Sequence, residues 1–224
     1  LLAVQKNGGA LRWAENFQSV RNVVLAAVQS GGSAFQFASP ALLDDISVIR
    51  AAVKANGKAI AFAGPLFWKE PTHDVLIDAV RTHADTIITT ETRMEISEEL
   101  MVLLAKANPA CLKHCSSKLR SKAAFLGGVS SRGVALQYAE SELRADREIV
   151  LAAVCNEGMA LRYADSRLRA DRDIVLCAVR NDPSAFRFAS ENLIGDVELQ
   201  ELSCMASEAA SDICPRPRSP CRVF

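Results

Sequence analysis

Apolar residues recur four apart along most of this chain, and the pairs themselves recur about every 25 residues. With Val154 as reference, the equivalents are Val4, Val28, Val53, Val80, Ala105, Val129 and Val179, and successive positions are separated by 24, 25, 27, 25, 24, 25 and 25 residues. Apolar side chains stand at −5, −4, −1 and 0 from each reference, as in Ile149, Val150, Ala153, Val154 and Ile174, Val175, Ala178, Val179. That spacing puts them on one helix face. Eight residues before the reference stands a capping type in most copies: Asp45, Thr72, Ser97, Ser121, Asp146 and Asp171. Their short oxygen-bearing side chains accept the free N–H groups of a first turn. Acids such as Asp74, Glu98, Glu99, Glu148 and Asp173 often follow, where they complement the helix dipole. Each copy is therefore predicted to open with a helix of two to three turns.

Four residues after the reference comes Gly8, Gly32, Gly57, Gly133 or Gly158, with Pro109 and Pro183 in two copies and Ala84 in one. Glycine permits a left-handed helix exit and proline prevents continuation, so a turn is expected here. A second apolar set stands at +6, +7, +9 and +10, as in Ala160, Leu161, Tyr163, Ala164, and predicts a second helix. Small residues at +10 (Ala14, Ala38, Ala63, Ala139, Ala164, Ala189) allow close backbone approach. Apolar residues at +14, such as Leu42, Phe67, Leu143 and Leu168, plug the junction before the next cap. Two such short helices are marginal alone, but stacked copies bury both sides of each repeat. The expectation is an all-α helical solenoid of about eight helix–turn–helix repeats. A leucine-rich horseshoe shares the period, but no copy has its LxxLxLxxN strand pattern.

The array is expected over residues 1–196, with a divergent middle at about 71–122 that distorts or bends the stack. Thr89 and Thr90 replace the aromatic and small positions in one middle copy; His114 and Cys115 replace them in the next. The extra residues of the one long gap lie in GPLFWKEPTH. A terminal capping helix is expected over 197–214 and an extended Pro/Arg-rich tail over 215–224.

The stretch LRADREIVLAAVCNEGMALRYAD (143–165) and its echo LRADRDIVLCAV (168–179) carry a DRE-type cap and helix, then G-x-A-L-x-Y-A and a closing L-R. These motifs resemble the repeat family described as domain of unknown function 4116. The match is close over 143–193, looser over 1–70 and poor over 71–122. The resemblance implies tandem repeats and assigns no activity and no site residues.

Composition narrows the function classes. Half of the chain is hydrophobic, and 26 basic residues balance 26 acidic ones. A neutral chain lacks the basic footprint of a nonspecific nucleic-acid binder, so nucleic acid is disfavoured as a partner. No apolar run approaches the ~20 residues of a membrane span, so no direct membrane insertion is expected. The chain begins without Met and in mid-pattern, and reads as a fragment or processed product. Seven cysteines, an odd number without framework spacing, are expected as reduced, mostly buried thiols in a reducing compartment, cytoplasmic or organellar.

Candidate chemistry is sparse. Cys111, His114 and Cys115 could face together at i, i+3, i+4, but a closed zinc site wants a fourth ligand, and core and boundary roles in a drifted repeat account for them. His73 and His83 lie near Asp74, Asp78 and Asp85, yet no nucleophile motif accompanies them and the acids fit caps and helix surfaces. The glycines of 7–9 and 30–33 recur in phase with the turn, unlike a phosphate cradle. The clusters Arg144, Asp146, Arg147 and Arg169, Asp171, Arg172 are expected as junction ion pairs that set register.

Offset +8 is the one row with binding character: Arg12, Gln36, Ala61, Ile88, Lys113, Gln137, Arg162 and Arg187. Stacked repeats would align it beside the aromatics at +9. A solvated helix face explains such a row, and a partner-binding ladder of Arg12, Gln36, Lys113, Gln137, Arg162 and Arg187 is the functional alternative. The expected function is a noncatalytic protein–protein interaction scaffold, or an auxiliary subunit of a larger assembly, with no cofactor, no metal and no catalytic residue. The alternatives are the recognition module of an enzyme whose catalytic domain lies elsewhere and, more weakly, an RNA-binding repeat protein.

Overall fold

The structure is a computed structural model. It describes residues 2–211, with side chains through 204. The tail expected over 215–224, the last residues of the capping helix, and Cys214 and Cys221 lie outside the described residues.

Every described regular element is helical, and the all-α repeat solenoid is the observed fold. The leading helices are α1 (Leu2–Lys6), α2 (Arg21–Ser30), α3 (Ile46–Ala55), α4 (His73–Thr82), α5 (Glu98–Ala107), α6 (Lys122–Ser131), α7 (Arg147–Asn156), α8 (Arg172–Asn181) and α9 (Val197–Ser211). From α2 to α8 each is ten residues long, just under three turns. The −5, −4, −1 and 0 positions are buried in all seven, for example Val48, Ile49, Ala52 and Val53 in α3. At the starts of these helices, Asp45 Oδ1 accepts from the Ser47 and Val48 amides at 2.9 and 3.4 Å. Asp146 and Asp171 repeat the arrangement, and Ser97 and Ser121 each accept one amide at 3.2 Å. Thr72 departs from the expectation: it makes no cap bond, and its buried Oγ1 has no hydrogen-bond partner.

The second element is a 3-10 helix instead of an α-helix in most copies: Gly8–Trp13, Gly32–Phe37, Gly57–Phe62, Pro109–Lys113, Gly133–Tyr138, Gly158–Tyr163 and Pro183–Phe188. Six residues rise about 12 Å in this form and about 9 Å in α form, so the tighter helix carries the chain further across its neighbours. A third, one-turn helix follows, as at Pro40–Leu43, Ser141–Arg144 and Ser166–Arg169. It holds the +14 residue, which is half-buried in most copies. The repeat thus has three elements where the sequence pattern predicts two. The junction is closed by a recurring backbone bond: Ser39 N donates to Gln18 O at 2.9 Å, Gly64 N to Leu43 O at 2.8 Å, Asp165 N to Arg144 O at 3.0 Å and Ser190 N to Arg169 O at 2.9 Å.

The expected role of the turn glycines is also corrected. No described residue has a positive φ. The residue before the glycine is extended, with φ −170° at Gly31, −156° at Asn56 and −148° at Glu157, and the glycine begins the 3-10 helix. A side chain is excluded there by the next repeat. A Cβ on Gly8, Gly133 or Gly158 would overlap the carbonyl oxygen of Ala27, Ala153 or Ala178. On Gly57 and Gly32 it would stand 2.5 and 2.9 Å from those of Ala79 and Ala52. Each of those alanines is the −1 residue of the following leading helix, so glycine and alanine together set the closeness of repeats.

Contacts divide the chain into two compact bodies, one through Ser131 and one from Arg132. In the first, α1 to α6 pack consecutively, each mainly on its chain neighbours. In the second, α7 packs on α8 and α8 on α9. The divergent middle belongs to the first body. There Thr86–Arg93 is α-helical where other copies are 3-10. Thr90 occupies the small +10 position fully buried, and its hydroxyl donates to Thr86 O at 3.1 Å. The extra residues of the long gap form Pro65–Lys69, whose first amides at Leu66 and Phe67 are accepted by Asp44 Oδ1 at 2.9 and 3.0 Å. Phe67 and Trp68 are buried edge to face, ring centroids 5.3 Å apart.

Cys155 and Cys177 form a disulfide between α7 and α8, Cα–Cα 5.9 Å. This corrects the expectation of reduced thiols for these two. Cys155 is exposed and Cys177 half-buried on facing sides of consecutive repeats, within disulfide reach. The bond does not favour a reducing compartment. Among the described residues, no helix is long and apolar enough to cross a membrane.

Candidate functional site

Successive 3-10 helices pack side by side within each body, which places their +8 and +9 side chains along one edge. In the second body this edge carries Gln137, Arg162 and Arg187. In the first, Arg12, Gln36 and Ala61 stand on adjacent helices, while Lys113 lies on Pro109–Lys113, beyond the α-helical Thr86–Arg93 with its half-exposed Ile88. The six ladder residues therefore do not form one uninterrupted row. Arg12, Gln36, Lys113, Arg162 and Arg187 are exposed, and Gln137 is half-buried.

The +9 rings, part of the apolar set of the second element, stand at the rim of the core. Trp13 is 82% exposed and Phe62 39%, while Phe37, Tyr138, Tyr163 and Phe188 are partly exposed. The core is closed by +6 and +7 instead, and the ring is left outside. The neighbouring arginine covers it: Arg12 lies 5.3 Å from the Trp13 centroid, Arg162 4.6 Å from Tyr163 and Arg187 4.7 Å from Phe188. A guanidinium held over a ring keeps its N–H edge available for hydrogen bonding and gains about 0.5–1 kcal/mol at an exposed site. The uncharged members make hydrogen bonds, one local and one to the next repeat. Gln36 Nε2 donates to Ser33 O at 3.0 Å, and Gln137 Oε1 accepts from the Tyr163 hydroxyl at 3.4 Å.

Below the edge of the second body lies an open groove of about 730 Å³, lined by Glu140, Arg144, Arg162, Tyr163, Asp165 and Arg169 among others. Arg144 is already engaged: its Nε donates to Ala139 O at 2.8 Å and its Nη2 to Gln137 O at 2.9 Å. In the first body Gln18 and Arg120 make comparable bonds to the carbonyls of Leu11 and Lys113, at 3.2 Å each. This latch escapes a reading based on charge, because its acceptors are backbone oxygens; the recurrent long polar side chain ahead of the cap is its only trace in the sequence. A second groove, about 450 Å³, lies in the first body between Glu91–Ile96 and Lys118–Leu119. No ladder residue lines it, and its Lys118 pairs with Glu95 at 3.6 Å.

The junction arginines Arg147 and Arg172, and Arg21 in the first body, make ion pairs between repeats. Arg147 reaches Asp171 at 3.2 Å and Asp173 at 3.4 Å. Arg172 reaches Asp196 at 2.7 Å and Glu198 at 2.5 Å, and Arg21 reaches Asp45 at 3.6 Å. Asp45, Asp171 and Asp196 thus each cap a helix and also receive the arginine of the preceding repeat. The Ser47 hydroxyl, aided by backbone amides and Arg21, holds the Asp45 carboxyl below the usual range. Arg172 does the same for Asp196.

Cys111 and Cys115 are buried, and burial, then the neighbouring Cys115, pushes the Cys111 thiol up to about 12. His114 is exposed, so the trio does not converge. His73 is exposed. His83 is half-buried, with its Nδ1 buried and unpartnered, behind the carbonyl face that Gly57 approaches. Asp78 pairs with Arg81 at 2.6 Å and Asp85 with Lys58 at 2.8 Å, which directs both acids into surface pairs. Among the described residues, no three His, Cys, Asp or Glu side chains are placed to share an ion.

Comparison with known proteins adds the family. Neither the curated proteins nor the solved structures contain a match. The family model described as Domain of unknown function (DUF4116) matches residues 1–43, 20–68, 128–169 and 146–194, in overlapping tandem and on both sides of the divergent middle. Those segments together make up more than half of the sequence, and the chain belongs to the DUF4116 family.

Proposed function

We propose that this chain is a noncatalytic scaffold that binds protein partners along the +8/+9 edge of its repeats. The observation that carries the reading is the repeated arginine-over-ring pair at Arg12–Trp13, Arg162–Tyr163 and Arg187–Phe188. Arginine and aromatic side chains are the types most enriched where partners bind, and solenoids commonly present such rows. The pairs lie outside the buried set that closes the core, so replacing their arginines leaves the stack intact.

The test is recovery of partners from native extract by the whole chain and by a triple variant, Arg12→Ala, Arg162→Ala and Arg187→Ala. The expected result is a partner that is lost selectively from the variant, rebinds the purified parent protein, and leaves the circular dichroism unchanged. A chain that stays a free monomer, or a variant that keeps every partner, overturns the reading.

A further inference from the structure

We propose that the groove of the second body docks an acidic peptide segment of a protein partner, with one Asp or Glu carboxylate entering between Arg162 and Arg169. This deepens the edge reading above and rests on it. Three arginines line the groove, Arg144, Arg162 and Arg169. Arg144 spends its Nε and Nη2 on the carbonyls of Ala139 and Gln137. Arg169 occupies the same place one repeat later, yet its Nε is buried with no hydrogen-bond partner. An unsatisfied buried donor on a cation is costly to leave so, and a carboxylate is the acceptor that suits a guanidinium, often bidentately. Arg162 lines the same groove, its guanidinium held 4.6 Å over the Tyr163 ring.

The charge balance selects the ligand. Against the three arginines stand Glu140 and Asp165, which leaves one net positive charge. A single carboxylate neutralises that balance, whereas a phosphate dianion would leave the groove with an excess negative charge. Asp165 is itself occupied, accepting from the Arg167 amide at 2.9 Å as the cap of its short helix. Tyr163 also lines the groove, an aromatic surface suited to the peptide backbone and stems beside the acid.

The experiment is fluorescence anisotropy of the whole chain with a short labelled Glu/Gly peptide, its Gln/Gly counterpart and a single-stranded RNA, with inorganic phosphate as competitor. The Glu peptide is expected to bind, more weakly as salt rises, and the Gln peptide is not. Arg169→Met and Arg162→Ala each weaken binding about tenfold or more, the loss of one charge-assisted bond, while Arg12→Ala in the first body does not. Should Arg169→Met melt early, Arg169→Lys, which keeps the charge and lacks the Nε, reads the same bond. Equal binding of the Gln peptide, insensitivity to both arginines, or tighter binding of RNA or phosphate overturns the inference. Absence of Glu-peptide binding, with the native partner still lost from the triple variant, removes this inference alone. Binding through Arg169, with the native partner retained by that variant, removes the edge reading alone.

Discussion

A single atom decides the repeat glycines. Gly158 takes no special backbone angle; its missing Cβ is the space into which the Ala178 carbonyl fits, with Asp182 Cβ at 2.9 Å from the same point. Gly158→Ala is therefore expected to cost about 1–3 kcal/mol, the range for forcing atoms into a packed interface. Gly31→Ala is the control. It has nothing within 4 Å of the added carbon and an extended φ of −170°, so it should be neutral or stabilise by about 0.4–1 kcal/mol by restricting the unfolded chain. Urea titrations of both variants, compared at their midpoints, check the pair; equal losses would show that backbone freedom and not packing is the reason for glycine. At the same scale, the capping aspartates have two roles. Asp171 accepts the Asp173 and Ile174 amides and receives Arg147, so its side chain links two repeats as well as starting one helix.

Between elements, the joints of the second body are a backbone bond, an exposed ion pair and a disulfide. The pair of Arg147 with Asp171, with side chains 53% and 26% exposed, contributes about 0–1 kcal/mol, so it sets register more than it adds stability. The disulfide has a larger effect. Cys155 and Cys177 are 22 residues apart, and closing a loop of that length is worth about 3 kcal/mol in the chain-entropy view. Cys155→Ser should lower stability by that order in oxidised protein, and should change it little when both proteins are compared in reductant. Thermal melts with and without dithiothreitol measure this. Identical melts of the parent protein in both conditions would show that the bond does not form in solution.

Across the molecule, each leading helix packs mainly on its chain neighbours, so a position within the stack has an energetic meaning. Val53 in α3 is fully buried between α2 and α4, whereas Val4 in α1 packs mainly on α2 and its own 3-10 helix and is 4% exposed. The same Val→Ala change should cost about 2 kcal/mol at Val53, from lost burial plus cavity, and distinctly less at Val4. Denaturation of both variants reads the difference, and equal costs would contradict nearest-neighbour stacking.

The sequence by itself determined the period, the leading helices with their caps, and the buried −5, −4, −1 and 0 stripe. These are local: a cap and an amphipathic spacing act within one helix. It also carried the family, through the repeated DRE-type helix. Only the tertiary structure decided that the second element is a 3-10 helix, that the +9 rings stand outside the core, and that Arg144 serves carbonyls while Arg147 serves carboxylates. It likewise paired Cys155 with Cys177 and left the Arg169 Nε without a partner. Each of these depends on where the next repeat places its atoms. A pattern of residue types records which side chains are greasy or charged, but not how close the neighbouring backbone comes, and that distance settled the rest.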